Sequence, residues 1–206
     1  MNRNYFYTPK RALITFLICM ALVTLSSSCS PISPLGLAIG AGATVANATQ
    51  SEKGLKNSAS DLRIKTEINH NLFQKDHNLF SSVKISVDNG RVLITGSVTT
   101  ADHRIEISKL SWKVTGVREV INEVQVTNTA SITNKAKDLI ITKSLQAQLI
   151  LDQSISSINF SIDTVNGIVY IFGIARNQTE INSIINHARN INYVENIISY
   201  MTISNQ

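Results

Sequence analysis

The thiol of Cys29 is the side chain whose surroundings point most directly to covalent chemistry. It follows Arg3, Lys10 and Arg11, the uncharged apolar run ALITFLICMALVTL (Ala12–Leu25) and the small residues SSS. That order describes an export signal, residues 1–28, with small residues ahead of a cut. The apolar run holds 14 residues, short of the ~20 that span a bilayer as a helix. A cysteine left first after the cut is the acceptor of a diacylglycerol thioether, the pattern of a lipobox. The usual pattern has Leu at −3, where this chain has Ser26 with Leu25 one place further back. Two readings follow: lipidation at Cys29, or an ordinary signal-peptidase cut that leaves a free cysteine in a tail. Cys19 lies inside the apolar run and leaves with it, so the exported chain keeps one thiol and cannot form an internal disulfide.

The remaining reactive side chains form no constellation. His70, His77, His103 and His187 show no ligand spacing with one another or with cysteine, so no metal is expected. Gly36, Gly40 and Gly42 have no Lys-Ser/Thr behind them, as a phosphate loop requires. No serine sits in a G-x-S-x-G elbow, and the carboxylates are scattered singly. The expectation is a protein without enzymatic activity or cofactor. The net charge of +5 falls to +2 once the three leader cations are removed, leaving 16 Lys and Arg against 14 Asp and Glu. A nucleic-acid role loses its main electrostatic support with them.

Beyond Cys29 the chain reads as a tether to residue 58, rich in Pro, Gly, Ala and Ser. Two domains are expected after it, 59–129 and 134–206. The reason is a repeat. Shifting the chain by 77 positions aligns Asp61–Val126 with Asp138–Ile203 without a gap, and NGRVLITG (Asn89–Gly96) falls on NGIVYIFG (Asn166–Gly173). Identities such as Asp61/Asp138, Leu72/Leu149, Ile94/Ile171 and Gly96/Gly173 are mostly apolar or Gly, the types that a shared core and shared turns fix.

Each copy reads helix, strand, strand, helix, strand. Ile64, Ile68 and Leu72 recur on one helix face. Val83, Ile85 and Val87 alternate with polar residues as in a half-buried strand, and Asn89-Gly90 supplies a type I′ turn into Arg91–Val98. Thr99 or Thr100 caps a second helix carrying Ile105 and Leu110, and VREVINEVQV is the third strand. In copy two the same elements are expected at Asp138–Leu151, Asn159–Asp163, Gly167–Ala175, Gln178–Asn190 and Val194–Ile203. There Asn177 is the cap, and Glu180 three residues on suggests a capping box. Gly96 marks a bulge or a close contact, and Trp112 is read as a core or seam anchor. The fold class is therefore α+β: two tandem αββαβ domains, each a three-stranded mixed sheet with two helices on one face.

The lipoprotein-type start, the small-residue tether and two αββαβ copies with an N-G-x-V-x-I-x-G hairpin resemble the BON-domain family. The arrangement is similar to the dual-BON outer-membrane lipoproteins of the DolP (YraP) type, with OsmY-like periplasmic proteins as soluble relatives. The resemblance implies a periplasmic, lipid-anchored protein that binds anionic phospholipid and supports envelope integrity, with lipid contact through the first helix of the second domain. Ser30 rather than Asp after Cys29 implies outer-membrane sorting by the same resemblance.

Positions that change character between the copies report on their surroundings. Arg63, His70 and Gln74 become Ile140, Ala147 and Leu151, which at about 100° per residue lie within about 40° of one another and away from the core stripe. Leu139 and Ile150 widen that surface, and Lys135, Lys137 and Lys143 flank it. Membrane binding is expected at Leu139, Ile140, Lys143, Ala147, Ile150 and Leu151; the alternatives are cover by the first domain or by a periplasmic or outer-membrane protein partner. Two helices cover one face of a three-stranded sheet and leave the other open. There Arg91, Leu93, Thr95, Ile121, Glu123 and Gln125 become Ile168, Tyr170, Phe172, Ile198, Tyr200 and Thr202. Inter-domain packing is expected through Ile168, Tyr170, Phe172, Ile198 and Tyr200.

Overall fold

A computed structural model describes residues 54–127 and 132–204, which belong to one compact unit. The first domain consists of α1 (Gly54–Lys75), α2 (His77–Ser82), β1 (Val83–Asp88), β2 (Arg91–Val98), α3 (Ala101–Trp112) and β3 (Glu119–Val126). The second consists of α4 (Ile132–Leu151), a 3-10 turn (Ser157–Asn159), β4 (Phe160–Val165), β5 (Ile168–Ala175), α5 (Gln178–Arg189) and β6 (Asn196–Ile203). In each sheet the second strand is central, antiparallel to the first and parallel to the third. This is the α+β tandem architecture that the repeat implies.

The shared residues have shared work. Asn89 and Gly90 sit at φ +51° and +73°, and Asn166 and Gly167 at +49° and +75°, the paired left-handed geometry of a type I′ turn. The carboxylate of Asp61 accepts from the backbone N–H of Asn89 at 2.8 Å and of Gly90 at 2.9 Å. Asp138 accepts from Asn166 and Gly167 at the same distances. One repeated carboxylate thus ties the first helix of each domain to its hairpin. Ile64, Ile68 and Leu72 on α1 pack with Ile85, Val92, Ile94 and Ile107. Ile141, Leu145 and Leu149 on α4 pack with Ile162, Val169, Ile171 and Ile184.

Several sequence expectations are corrected. Ile105 is exposed, and Ile107 with Leu110 fills the inner face of α3. Trp112 is 53% exposed, so it anchors neither core nor seam. α2 was not expected; Asp76 caps it by accepting from the N–H of Asn78 at 2.7 Å. β3 and β6 start at Glu119 and Asn196, because Val117 and Val194 still belong to the preceding turns, their N–H groups donating to the carbonyls of Val114 and Ile191. Only from Arg118 and Glu195 onward do N–H groups reach across, to Gly90 and Gly167. Glu180 does not close a capping box. Its buried carboxylate accepts from the N–H groups of Ser156 and Arg176, both at 2.7 Å, and pairs with the Arg176 guanidinium at 3.0 Å. Burial opposes its ionisation, yet the Arg176 and backbone donors outweigh that and lower its carboxyl below the ordinary range.

Candidate functional site

α4 presents two faces with opposite surroundings. Ile141, Leu145 and Leu149 are sealed in the core. On the other side Leu139 is 58%, Ile140 61%, Ile150 71% and Leu151 81% exposed, with Lys143 and Ala147 also exposed among them. On a helical projection these six residues occupy an arc of about 120° opposite the core stripe, so the outward side chains form one strip broken only by Lys143. Leu139 and Lys143 border a cleft shared with the first domain, which leaves Ile140, Ile150 and Leu151 exposed. Lys135 and Lys137 are exposed at the N-terminal end of the same helix.

The matching face of α1 differs at three positions, where Arg63, His70 and Gln74 stand in place of Ile140, Ala147 and Leu151, while Phe73, the counterpart of Ile150, is apolar and 52% exposed. Arg63, the counterpart of Ile140, pairs with Glu67 at 2.9 Å and donates to the carbonyl of Thr115. Leu62, the counterpart of Leu139, is also exposed, at 65%, so the difference between the helices rests on the 140, 147 and 151 positions. No helix among the described residues is long and apolar enough to cross a membrane. A strip of this kind can lie on a bilayer surface with its apolar side chains inserted and its lysines at headgroup level.

The sheet faces without helices meet each other. Leu93, Val165, Tyr170 and Phe172 form a third buried cluster, with Ile121, Ile168, Ile198 and Tyr200 packed against it; Thr202 stays exposed. Lys84, Arg91, Thr95, Glu123 and Gln125 of the first domain's face find partners across this seam. Arg91 lies over the ring of Phe172, 5.2 Å from its centroid. Thr95 donates to Asp163, which also takes Lys84 Nζ at 3.0 Å. Gln125 accepts from Asn166 at 2.7 Å and donates to the carbonyl of Val165 at 3.3 Å. Tyr200 donates its hydroxyl proton to Glu123.

That last bond gives the seam a pH dependence. Burial, followed by the charge and hydrogen bond of Glu123, pushes the Tyr200 hydroxyl from 10.0 up to about 12. A raised folded-state value means that the folded protein holds the proton more tightly, so the contribution is whole below about pH 10 and is lost as pH rises through about 12. The urea midpoint of the native protein is expected to fall over that window more steeply than that of Tyr200→Phe. Parallel slopes would show that Tyr200 titrates free of the seam.

Beside the seam lies a cleft of about 710 Å³ lined by residues of both domains, including Lys84, His103, Lys135, Leu139 and Lys143. Its carboxylates are already engaged, Asp138 by the hairpin and Asp163 by Lys84 and Thr95. Cys29, the expected lipid acceptor, lies outside the described residues. Sequence reasoning passed over Tyr193, which is 70% exposed near the start of α4 with Lys137 Nζ 5.6 Å from its ring centroid. The signal was available: 77 positions earlier stands Gly116.

Comparison with known proteins identifies the repeated unit. The family model described as BON domain matches residues 60–128 and again 137–205. An uncharacterised protein encoded in the gshII 5′ region of Anaplasma centrale is 38% identical over 144 residues, covering 69% of this chain and 94% of its own length. The outer membrane lipoprotein DolP of Haemophilus influenzae is 25% identical over 162 residues, covering 78% of this chain and 83% of its own. Among solved structures, CdsD, a structural protein of the type III secretion system of Chlamydia trachomatis, is 16% identical with a TM-score of 0.29. That match covers 69% of this chain, which spans 63% of the CdsD structure.

Proposed function

This chain belongs to the BON-domain family, twice over, and we propose that it is a lipid-anchored envelope protein that holds to anionic phospholipid through α4. In this reading Cys29 carries the anchor at the periplasmic face of the outer membrane, and the protein supports envelope integrity without catalysis. The observation that carries the reading is the exposed strip on α4, apolar at Ile140, Ala147 and Leu151 where α1 has Arg63, His70 and Gln74, with lysines at its border. The likeness to an outer membrane lipoprotein supports the compartment.

The energetics fit a peripheral contact held near by a tether. Burying a Leu or Ile side chain fully is worth about 1.5–3 kcal/mol, and each lysine near an anionic surface adds about 1 kcal/mol. Partial insertion and ordering costs reduce that sum to weak binding. A covalent anchor then raises the effective concentration of membrane at α4, which makes weak binding sufficient.

The test uses the fragment from Gly54 onward, which contains all three apolar clusters. Co-sedimentation with phosphatidylcholine vesicles is expected to rise with the fraction of phosphatidylglycerol and to fall with salt. Ile140→Asp with Leu151→Asp is expected to weaken it at least about tenfold, with stability changed by less than about 1 kcal/mol because both positions are exposed. Absence of binding to every lipid mixture, with a protein captured on α4 by cross-linking, would replace this reading with a periplasmic adaptor that uses the same strip.

A further inference from the structure

Tyr193 keeps the backbone of a glycine. Its φ is +70°, against +96° at the corresponding Gly116, a region that a bulky L-residue rarely enters. No core contact compensates, since the side chain is 70% exposed. The first domain shows where this loop sits: Arg63 of α1 donates to the carbonyl of Thr115, beside Gly116, and the counterpart of Arg63 is Ile140. In the second domain Tyr193 lines a hollow with Lys137 and Ile141 of α4, beside the exposed Glu195 and the Asp138 carboxylate that the hairpin already engages. Lys137 is exposed and stands over the ring.

We propose that Tyr193 and Lys137 form an interfacial anchor for an anionic bilayer, the ring lying at the glycerol level and the ammonium pairing with a lipid phosphate. The proposal rests on the reading of α4 as the membrane-facing helix and extends that contact onto the loop before β6. A phenol has an apolar body and one polar tip, which suits the boundary between headgroups and acyl chains. A lysine beside it keeps its charge in the headgroup layer while its stem lies along apolar surface. The left-handed backbone turns an aromatic side chain outward at a site where the twin domain has none.

Tyr193→Gly restores the residue of the twin. In the fragment from Gly54 onward the melting temperature is expected to stay level or rise by about 1–3 °C, while binding to phosphatidylglycerol vesicles weakens about fivefold. In a Trp112→Phe background, Tyr193→Trp is expected to retain binding and to shift its emission to shorter wavelength when such vesicles are added. Native-level binding by Tyr193→Gly, a lowered melting temperature, or an indole emission unmoved by vesicles would each overturn the anchor. If Ile140→Asp with Leu151→Asp still releases the protein in that case, the reading of α4 stands without it. If the native fragment binds no vesicle, both fall together.

Discussion

Replacing Gly173 by alanine is expected to destabilise the second domain by about 3–5 kcal/mol, a large share of the 5–15 kcal/mol that holds a typical domain folded. Gly173 lies on the central strand with φ +153°, and a Cβ there would run into the carbonyl oxygen of Asn159 and come 3.1 Å from the Cα of Phe160. Both obstacles are backbone, and Phe160 is paired with Gly173 in the ladder, so neither can give way without breaking the sheet edge. Gly96 has the same predicament: φ is +135°, and a Cβ would overlap the carbonyl oxygen of Ser82 at the end of α2. Urea denaturation followed by far-ultraviolet circular dichroism checks the prediction. A loss below about 1 kcal/mol in either variant would show that the strand can shift to admit a methyl group.

The seam supplies the second large effect. Phe172→Ala is expected to cost about 3–5 kcal/mol, because the ring is 1% exposed and carries Arg91 on its face. The loss should also change the character of unfolding. With the shared cluster intact the two domains are expected to melt together in calorimetry, and with Phe172 truncated they should separate into two transitions. One unchanged transition after truncation would mean that the domains are coupled by something other than this cluster.

Much of the fold was legible because duplication repeats its own constraints. A gapless shift of 77 positions turns single apolar residues into confirmed pairs, and the Asn-Gly turns fix the hairpins on backbone grounds alone. Boundaries were less legible, since a helix end or strand start depends on which N–H finds a carbonyl, as with Arg118 and Gly90. Ile105 misled because one apolar residue on a short helix does not set its phase; Ile107, identical in both copies, was the better marker.

The surfaces were half legible. Side-chain type shows that Tyr170 and Phe172 need cover, but type does not show that Arg91, Thr95, Glu123 and Gln125 are polar because they bind the other domain and not water. Each of these has a partner across the seam that the chain supplies 41 to 109 positions away. Tyr193 shows the converse limit. Its type is unremarked in a turn, and only the glycine in the twin copy reveals that its backbone is under constraint.

In the proposed reading α4, and not α1, meets the lipid. Methyl-labelled fragment from Gly54 onward, bound to phosphatidylglycerol-containing nanodiscs with a spin-labelled lipid, localises that contact residue by residue in an NMR spectrum. The methyl signals of Leu139, Ile140, Ile150 and Leu151 should broaden, while those of Ile141, Leu145 and Leu149, and of Leu62 on α1, keep their intensity. Broadening centred on α1, or none on α4 in protein shown to be bound, would contradict the assignment.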